Sequence, residues 1–517
     1  MHPLAVLLLA CTGCAVGPKF SRPEAQLSRN WSTTDPSLTA QKAVDELWWR
    51  SFNDASLDRL VEAATRQNLP LQIAGLRIIE ARARLGFATG QQFPQTQETF
   101  GSATAVGLSQ AGANTAQLPT RHFLDFQLGF DAAWELDFWG KYRRGVEAEA
   151  DSLMASVGDY YAALVALTAE VARTYVAIRT NELLIMLARD NERVQEQGLQ
   201  IAQARLRNGA TSELDVTQAA ALLEGTRASI PRLEAALQQS HNALSTLLGQ
   251  PTGAISWMLQ GPQSQIPQPP REIAVSVPAE LLRRRPDIRS AELQAAAQCA
   301  RVGVARTELF PSFSLFGQVS FQASPSGSGV NNFLQDLSYS LGPRVSWPFL
   351  NYGRIRNTIR VEDARYQQLL ISYRSSVLQA AQEVEDAIAG FARSKEAQVS
   401  EERAVVAAQR SVEISMVQYR EGAVDFQRVL DAERSLLVEQ NNLAQIRSAV
   451  TTNLIALYKA LGGGWEQRQS QPFVPDNTQD EMARRTSWSD MLTQPAASDV
   501  RPAESSRPHG EAAPQKP

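Results

Sequence analysis

The side chains equipped for chemistry are few and scattered. The four histidines, His2, His122, His241 and His509, lie far apart, and none has a cysteine or second histidine at ligand spacing. A His/Cys metal site is therefore not expected. No nucleophile–base–acid set and no phosphate-cradling loop can be assembled from the motifs, so an enzyme is the least expected reading. One charged pair does stand at helical spacing. Asp431 and Arg434, at i and i+3, share a helix face, although as an isolated exposed pair they would contribute only ~0.3–0.5 kcal/mol.

The cysteines carry a clearer message. Leu4 to Ala10 is a short apolar run followed by Cys11-Thr12-Gly13-Cys14-Ala15. The run has the length of a secretory-signal core and is too short to span a bilayer. Two small residues before Cys14 resemble a bacterial lipobox, in which the thiol takes a diacylglyceryl group and becomes the new N-terminus. Position −3 is Cys11 where the pattern favours Leu, and Met1-His2-Pro3 carries no Lys or Arg. A start placed too late would explain the second departure. Ala15 at the second mature position points, by the same resemblance, to the outer membrane. Lipid on Cys14 would supplement a membrane-embedded part at ~0.8 kcal/mol per CH₂ buried, and no other cofactor is expected. Once the leader is removed Cys299 is the second thiol; it is expected to be a small packed residue in a helix.

These residues need a scaffold, and a rule of about 150 residues per domain would give the 517-residue chain three or four domains. Lys and Arg total 50 against 54 Asp and Glu, a net charge of −4, which argues against a nucleic-acid binder. A hydrophobic share of 44% excludes wholesale disorder. No stretch approaches the roughly 18 apolar residues of a spanning helix. The organisation emerges instead from an internal repeat. Trp134–Gly140 (WELDFWG) matches Trp347–Gly353 (WPFLNYG), Leu206–Gly209 matches Tyr419–Gly422, and Leu247–Gly249 matches Leu461's neighbourhood (Ala460–Gly462), all at a spacing of 213. The chain reads as two copies of helix, strand, strand, long helix, returning helix.

The strands alternate with period two. Leu124, Phe126, Leu128, Phe130, Ala132, Trp134, Leu136 and Phe138 face one way, and Asp125, Gln127, Gly129, Asp131, Ala133, Glu135 and Asp137 the other. The second copy sets Tyr339, Leu341, Pro343, Val345, Trp347 and Phe349 against Ser338, Ser340, Gly342, Arg344 and Ser346. Phe313, Leu315, Val319 and Phe321 mark a further strand, and Thr96 to Val106 a weaker one. Such alternation edged by aromatics fits a barrel wall with lipid outside and water inside. A soluble sandwich would need several more strands. Four strands cannot close a membrane barrel, and open edges are not tolerated in lipid, so the chain must self-associate; two copies would supply eight strands and three would supply twelve.

The remainder is helical. Tyr142 to Arg207 and Arg354 to Glu421 lack proline, and each would run about 100 Å. Each precedes a tight turn and a returning helix of about half that length, the first containing Pro231, which is expected to bend it. Gly209 and Gly422 suit left-handed C′ positions. Ser212 with Asp215 forms a capping-box-like start, and Asp425 can cap the second return helix.

Three segments together resemble TolC-like outer-membrane efflux proteins, in particular the NodT/OprM-type lipoproteins: Trp48-Trp49-Arg50-Ser51-Phe52, Leu281–Arg289 (LLRRRPDIR) and the Tyr419–Arg434 turn. The resemblance covers about Cys14 to Gly464. It implies a fold that is mainly α with membrane β, a homotrimeric α/β barrel in which each chain gives four strands to a shared twelve-stranded barrel continued by long periplasmic helical hairpins. The organisation is then a signal peptide at 1–13, a lipidated linker at 14–45, a first repeat at 46–250, an equatorial linker at 251–277, a second repeat at 278–465 and an equatorial tail at 466–517. From about Asn477 that tail is expected to be disordered.

The function implied is a passive exit duct of a tripartite multidrug efflux system. Its partners would be a periplasmic adaptor protein, an inner-membrane pump of the resistance-nodulation-division class and outer-membrane lipid. A type I protein-secretion channel and a coiled-coil envelope scaffold are the alternatives. Asp431 and Arg434 match the family's constriction residues, Tyr419 matches a tip tyrosine, and Gln427 stands where the family usually has an apolar residue. The repeated turns, with Gly209, Ser212, Leu214 and Asp215 in one and Gly422 and Asp425 in the other, are the expected adaptor-docking tips. The arginine motif is given a structural role.

Overall fold

Two pairs of helices have matching lengths, as an internal repeat demands. The computed structural model describes residues 15–24, 31–32, 38–39, 46–109, 111, 121–259, 264–270, 273–274, 284–323, 337–469 and 471–493. After helix α1 (Ala55–Gln67), the first copy contains α2 (Leu69–Gly90), strands β1 (Thr96–Gly107) and β2 (His122–Leu136), α3 (Lys141–Arg207) and α4 (Glu213–Leu247). The second contains α5 (Pro286–Thr307), β3 (Ser312–Ala323), β4 (Leu337–Ser346), α6 (Arg354–Arg420) and α7 (Phe426–Ala460). The long helices α3 and α6 have 67 residues each and the return helices α4 and α7 have 35 each. Pro231 lies inside α4 without ending it. A two-residue parallel ladder joins Leu38–Thr39 to Ile273–Ala274.

The chain divides into two compact units, each drawing on both copies. The first comprises residues 1–23, 79–155 and 291–373, and contains an antiparallel sheet of order β1-β2-β3-β4. Its register sorts side chains by polarity. Phe130 pairs with Val319 and Val319 with Tyr339, while Trp134 pairs with Leu315 and Leu315 with Pro343. On the opposite face Glu98 pairs with Asp131, Asp131 with Gln318 and Gln318 with Ser340. The apolar face is uncovered: Leu128 is 59% exposed and Leu341 82%. On β1 that face carries only Gln97, Thr99, Gly101, Ala103 and Ala105, which is why its alternation is weak in the sequence.

The strand expected to run to Phe138 stops at Leu136. The Asp137 carboxylate instead accepts backbone N–H bonds from Tyr142 (3.2 Å) and Arg143 (2.9 Å), which turns the chain into α3. Trp139 stacks on Phe310 at 4.7 Å, and Phe138 meets Phe313 edge-on at 5.0 Å. Cys299 is buried in α5 among small residues, as expected.

The second unit comprises residues 24–78, 156–290 and 374–517. The WWRSF segment is a 3-10 turn whose Trp48 stacks on Tyr458 of α7 at 5.1 Å. Two sequence expectations fail. A window in α3 is apolar enough to cross a membrane by length and composition, but 61% of it is buried, as befits a core helix. The first part of the tail expected to be disordered from Asn477 forms α8 (Asp476–Arg485), and residues 494–517 lie outside the described residues. Pro475 starts α8, and Asp476 and Arg484–Arg485 complement its dipole at the two ends.

Candidate functional site

The turns that end α3 and α6 share one backbone hydrogen-bond pattern, and both lie in the second unit. The Gly209 N–H donates to the Leu206 carbonyl (2.9 Å) and the Ala210 N–H to Arg205 (2.9 Å). In the second copy Gly422 N–H donates to Tyr419 (3.0 Å) and Ala423 N–H to Gln418 (2.8 Å). These are Schellman closures with glycine at C′, at φ of 69° and 77°. An added Cβ at Gly209 would meet nothing within 4 Å, so conformation, not space, demands glycine there.

The helix starts differ from expectation. Ser212 and Asp425 occupy the N-cap positions, but neither makes a side-chain capping bond. The capping box fails because the Asp215 carboxylate accepts from the Thr211 hydroxyl. Leu214 is exposed beside it.

Asp431, Arg434, Gln427 and Tyr419, which the resemblance places at the closure of the duct, separate into two sets. Gln427, Asp431 and Arg434 form one exposed stripe on α7. Gln427 Nε2 donates to Asp431 Oδ1 at 2.9 Å, and no ion pair joins Asp431 to Arg434 among the described residues. Arg434 lines a groove of about 650 Å³ with Leu184 and Ala188 of α3, Leu222 and Thr226 of α4, and Leu437. Tyr419 is only 1% exposed. It sits in the hairpin core with Ala219, Phe426, Val429 and Leu430, 5.0 Å from the Phe426 ring.

Two residues of this region escaped the sequence reading. The Arg205 guanidinium lies 4.6 Å over the Tyr419 ring and donates to the Tyr419 carbonyl, so the end of α3 is tied to the end of α6. Glu433 is 3% exposed, on the packed face of α7. Signals existed for both. At the repeat spacing Arg205 aligns with Gln418 and Glu433 with Ala220, so these are places where the copies diverge. Glu433 also interrupts the apolar series Phe426, Val429/Leu430, Leu436.

The arginine motif is a lock within the same unit. Leu281 to Arg283 lie outside the described residues, whereas Arg285 is buried just before α5. It donates to Asp287 Oδ2 (2.8 Å), Glu383 Oε2 on α6 (2.9 Å) and the carbonyl of Ala460 at the end of α7 (2.7 Å). Burial alone would raise the Asp287 carboxyl, but the Arg285 hydrogen bonds and charge outweigh it and hold the group below its ordinary range.

In the first unit the residues after Cys14, itself outside the described residues, form a strap. Val16 N–H donates to the Trp139 carbonyl (3.0 Å), Arg144 donates to the Pro18 carbonyl (3.2 Å), and Arg22 pairs with Glu292 (2.7 Å). Gly17, at φ 119°, crosses Gly303 so closely that an added Cβ would stand 2.5 Å from the Gly303 Cα. Ala15, the first described residue of the strap, lies against Gly140, beside the aromatic end of the sheet.

A chain with these parts has known counterparts. Residues 60–250 and 277–463 match the family described as "Outer membrane efflux protein". The chain is 30% identical to cation efflux system protein CusC of Escherichia coli O6:H1, over 89% of this chain and 97% of that protein. It is 32% identical to the pyoverdine export outer membrane protein OpmQ of Pseudomonas putida, over 90% and 97%. Nodulation protein T of Rhizobium leguminosarum biovar trifolii is 31% identical, over 90% and 97%. Among solved structures, the outer-membrane channel OprN superposes with a TM-score of 0.79 at 32% identity, covering 87% of this chain and all of that one. On the matched families, the repeat and the channel-like architecture alike, the chain belongs to the outer membrane efflux protein family, a TolC-like efflux channel of the outer membrane.

Proposed function

We propose that three copies of this chain close a twelve-stranded barrel and continue it as a periplasmic helical conduit, through which solutes leave passively. The observation that carries this reading is the four-stranded sheet. One face is apolar and uncovered, the other is polar, and β1 and β4 have no strand partner on their outer edges among the described residues. In lipid each unpaired backbone group costs several kcal/mol, so neighbouring copies must complete the wall. Leu378, Val399 and Val406 on α6, exposed and separated by multiples of seven, supply a seam of the kind that packs helices of neighbouring copies.

In this reading a periplasmic adaptor and an inner-membrane pump of the resistance-nodulation-division class deliver the solute. The Gly209 and Gly422 turns meet the adaptor. The Gln427, Asp431 and Arg434 stripes, repeated around the axis, set the constriction. No ion pair joins Asp431 to Arg434 among the described residues, and in this reading both charges pair between copies. Lipid on Cys14 anchors the strap, whose first described residue stands at the aromatic end of the sheet where a membrane interface would lie. Such a duct makes and breaks no bonds and takes no cofactor besides that lipid.

The test is resistance in a host that lacks its own exit channels but has the adaptor and pump. Wild-type chain restores drug resistance, and Gly422→Glu abolishes it while assembly is retained. Resistance that persists in the variant contradicts docking at the turn, and resistance that survives deletion of the pump contradicts the tripartite assignment.

A further inference from the structure

Glu433 is a carboxyl group in the wrong place for a structural residue. It projects from α7 between two apolar clusters, one containing Val429 and Leu430 and the other containing Leu436 with Val412 of α6. A methyl group added at Gly198 of α3 would stand 3.6 Å from Glu433 Oε1 and 3.7 Å from Met416 Cε, so the carboxyl is wedged between α3 and α6. Its Oε1 atom is buried without a hydrogen-bond partner. One turn away on α3, Gln195 is 3% exposed with both amide atoms likewise unpartnered. A turn further along, Asn191 and Gln440 complete a bond across the same helix pair at 2.8 Å.

The charged groups of the neighbouring helices are engaged elsewhere. On α3, Glu192 and Glu196 are held by Arg227 of α4, and Arg205 by the Tyr419 carbonyl. On α6, Arg410 pairs with Glu413, and Arg420 is exposed. On α7 itself, Arg428, Asp431 and Arg434 are exposed, and the Glu439 carboxylate approaches Glu401 of α6. Among the described residues no countercharge therefore offsets ionisation of Glu433.

We propose that Glu433 is a proton-sensitive latch of the hairpin tip. Neutral, it allows α7 to pack on α3; ionised, it loosens that contact and with it the stripe that carries Gln427, Asp431 and Arg434. Burial alone raises the Glu433 carboxyl to about 7. Glu401 is displaced in the same direction, by burial and by Glu439, so a second contact of α7 responds with the same sign. The packed state holds the proton more tightly than a loosened one, in which the carboxyl returns to the ordinary 4.5. Packing is therefore strongest in acid, weakens as pH rises from the ordinary value through about 7, and levels off above it. Between about pH 6 and about pH 8 the loosening equilibrium rises roughly tenfold.

The consequence for conduction rests on the duct reading above, but the latch does not. Amide hydrogen exchange of α7 in the detergent-purified full chain, corrected for intrinsic rates, reads the latch directly. Protection over residues 429–440 falls roughly tenfold from about pH 6 to about pH 8, and the fall is much smaller in Glu433→Gln and in the apolar Glu433→Met, where the Glu401 contact alone still responds. Flat protection in the wild type, or an equal fall in both variants, overturns the proposal. Planar-bilayer currents on the same preparations separate the two ideas. A conducting pore with pH-independent protection overturns the latch and leaves the duct standing. A tenfold loosening in a preparation that never conducts upholds the latch and overturns the duct.

Discussion

Replacing Arg285 by methionine keeps most of the side chain's volume and removes all of its donors. In the structure the Arg285 side chain is 9% exposed and serves three acceptors: Asp287, Glu383 and the Ala460 carbonyl. Asp287 and Glu383 are 43% and 48% exposed, so water can take over much of what they lose. The Ala460 carbonyl, at the C-terminal end of α7, is left unpaired at a cost of ~1–3 kcal/mol. With the weakened charge-assisted bonds, the total is about 3 kcal/mol, at the low end for a broken buried ion pair. Arg285→Lys keeps the charge but cannot serve all three acceptors, and costs about half as much. Denaturant unfolding of the purified protein followed by helix signal measures both. The acid limb gives a second check. Because Arg285 holds Asp287 below its ordinary value, that stabilisation is present above pH 3.8 and lost as pH falls through the lowered value. The gap between wild type and Arg285→Met therefore narrows in acid. Equal stability at neutral pH, or a gap that ignores acid, would refute the lock.

Other substitutions probe the sheet and the strap. A Cβ at Gly129 would stand 2.5 Å from the Phe100 ring and 2.8 Å from the Val319 carbonyl, so Gly129→Val should cost about 1–3 kcal/mol. It should abolish the heat-modifiable migration of membrane-extracted protein, and Phe100→Ala should rescue only part, since the Val319 backbone remains. Gly17→Leu cannot keep the close crossing with Gly303, so limited trypsin digestion should cut after Lys19 in the variant and spare the wild type. Labelled palmitate should enter the wild type and Gly17→Leu but not Cys14→Ser, and equal labelling of all three would remove the lipid anchor from the account.

Much of the architecture was legible because it is periodic. The period-two alternation of Leu124 to Leu136, the proline-free helices and the paired glycine turns are each encoded within a few neighbouring residues. The details that were not legible depend on contacts remote in sequence. Strand β2 ends two residues early because Asp137 bonds to α3 rather than extending the ladder. Ser212 does not form its capping box because Thr211 competes for Asp215. The tip polarity of Arg205 and Glu433 depends on which helix faces which, and their register across α3 and α7 is set by the folded hairpins. Tyr419 illustrates both cases: its place at the turn was readable, whereas its burial beneath Arg205 was not.

The central claim is that one chain makes only part of a wall. Electron micrographs of the detergent-purified full-length protein test it most directly. The account predicts three-fold particles with a hollow barrel at one end and a long helical tube at the other. Single-chain particles with no central bore would contradict it.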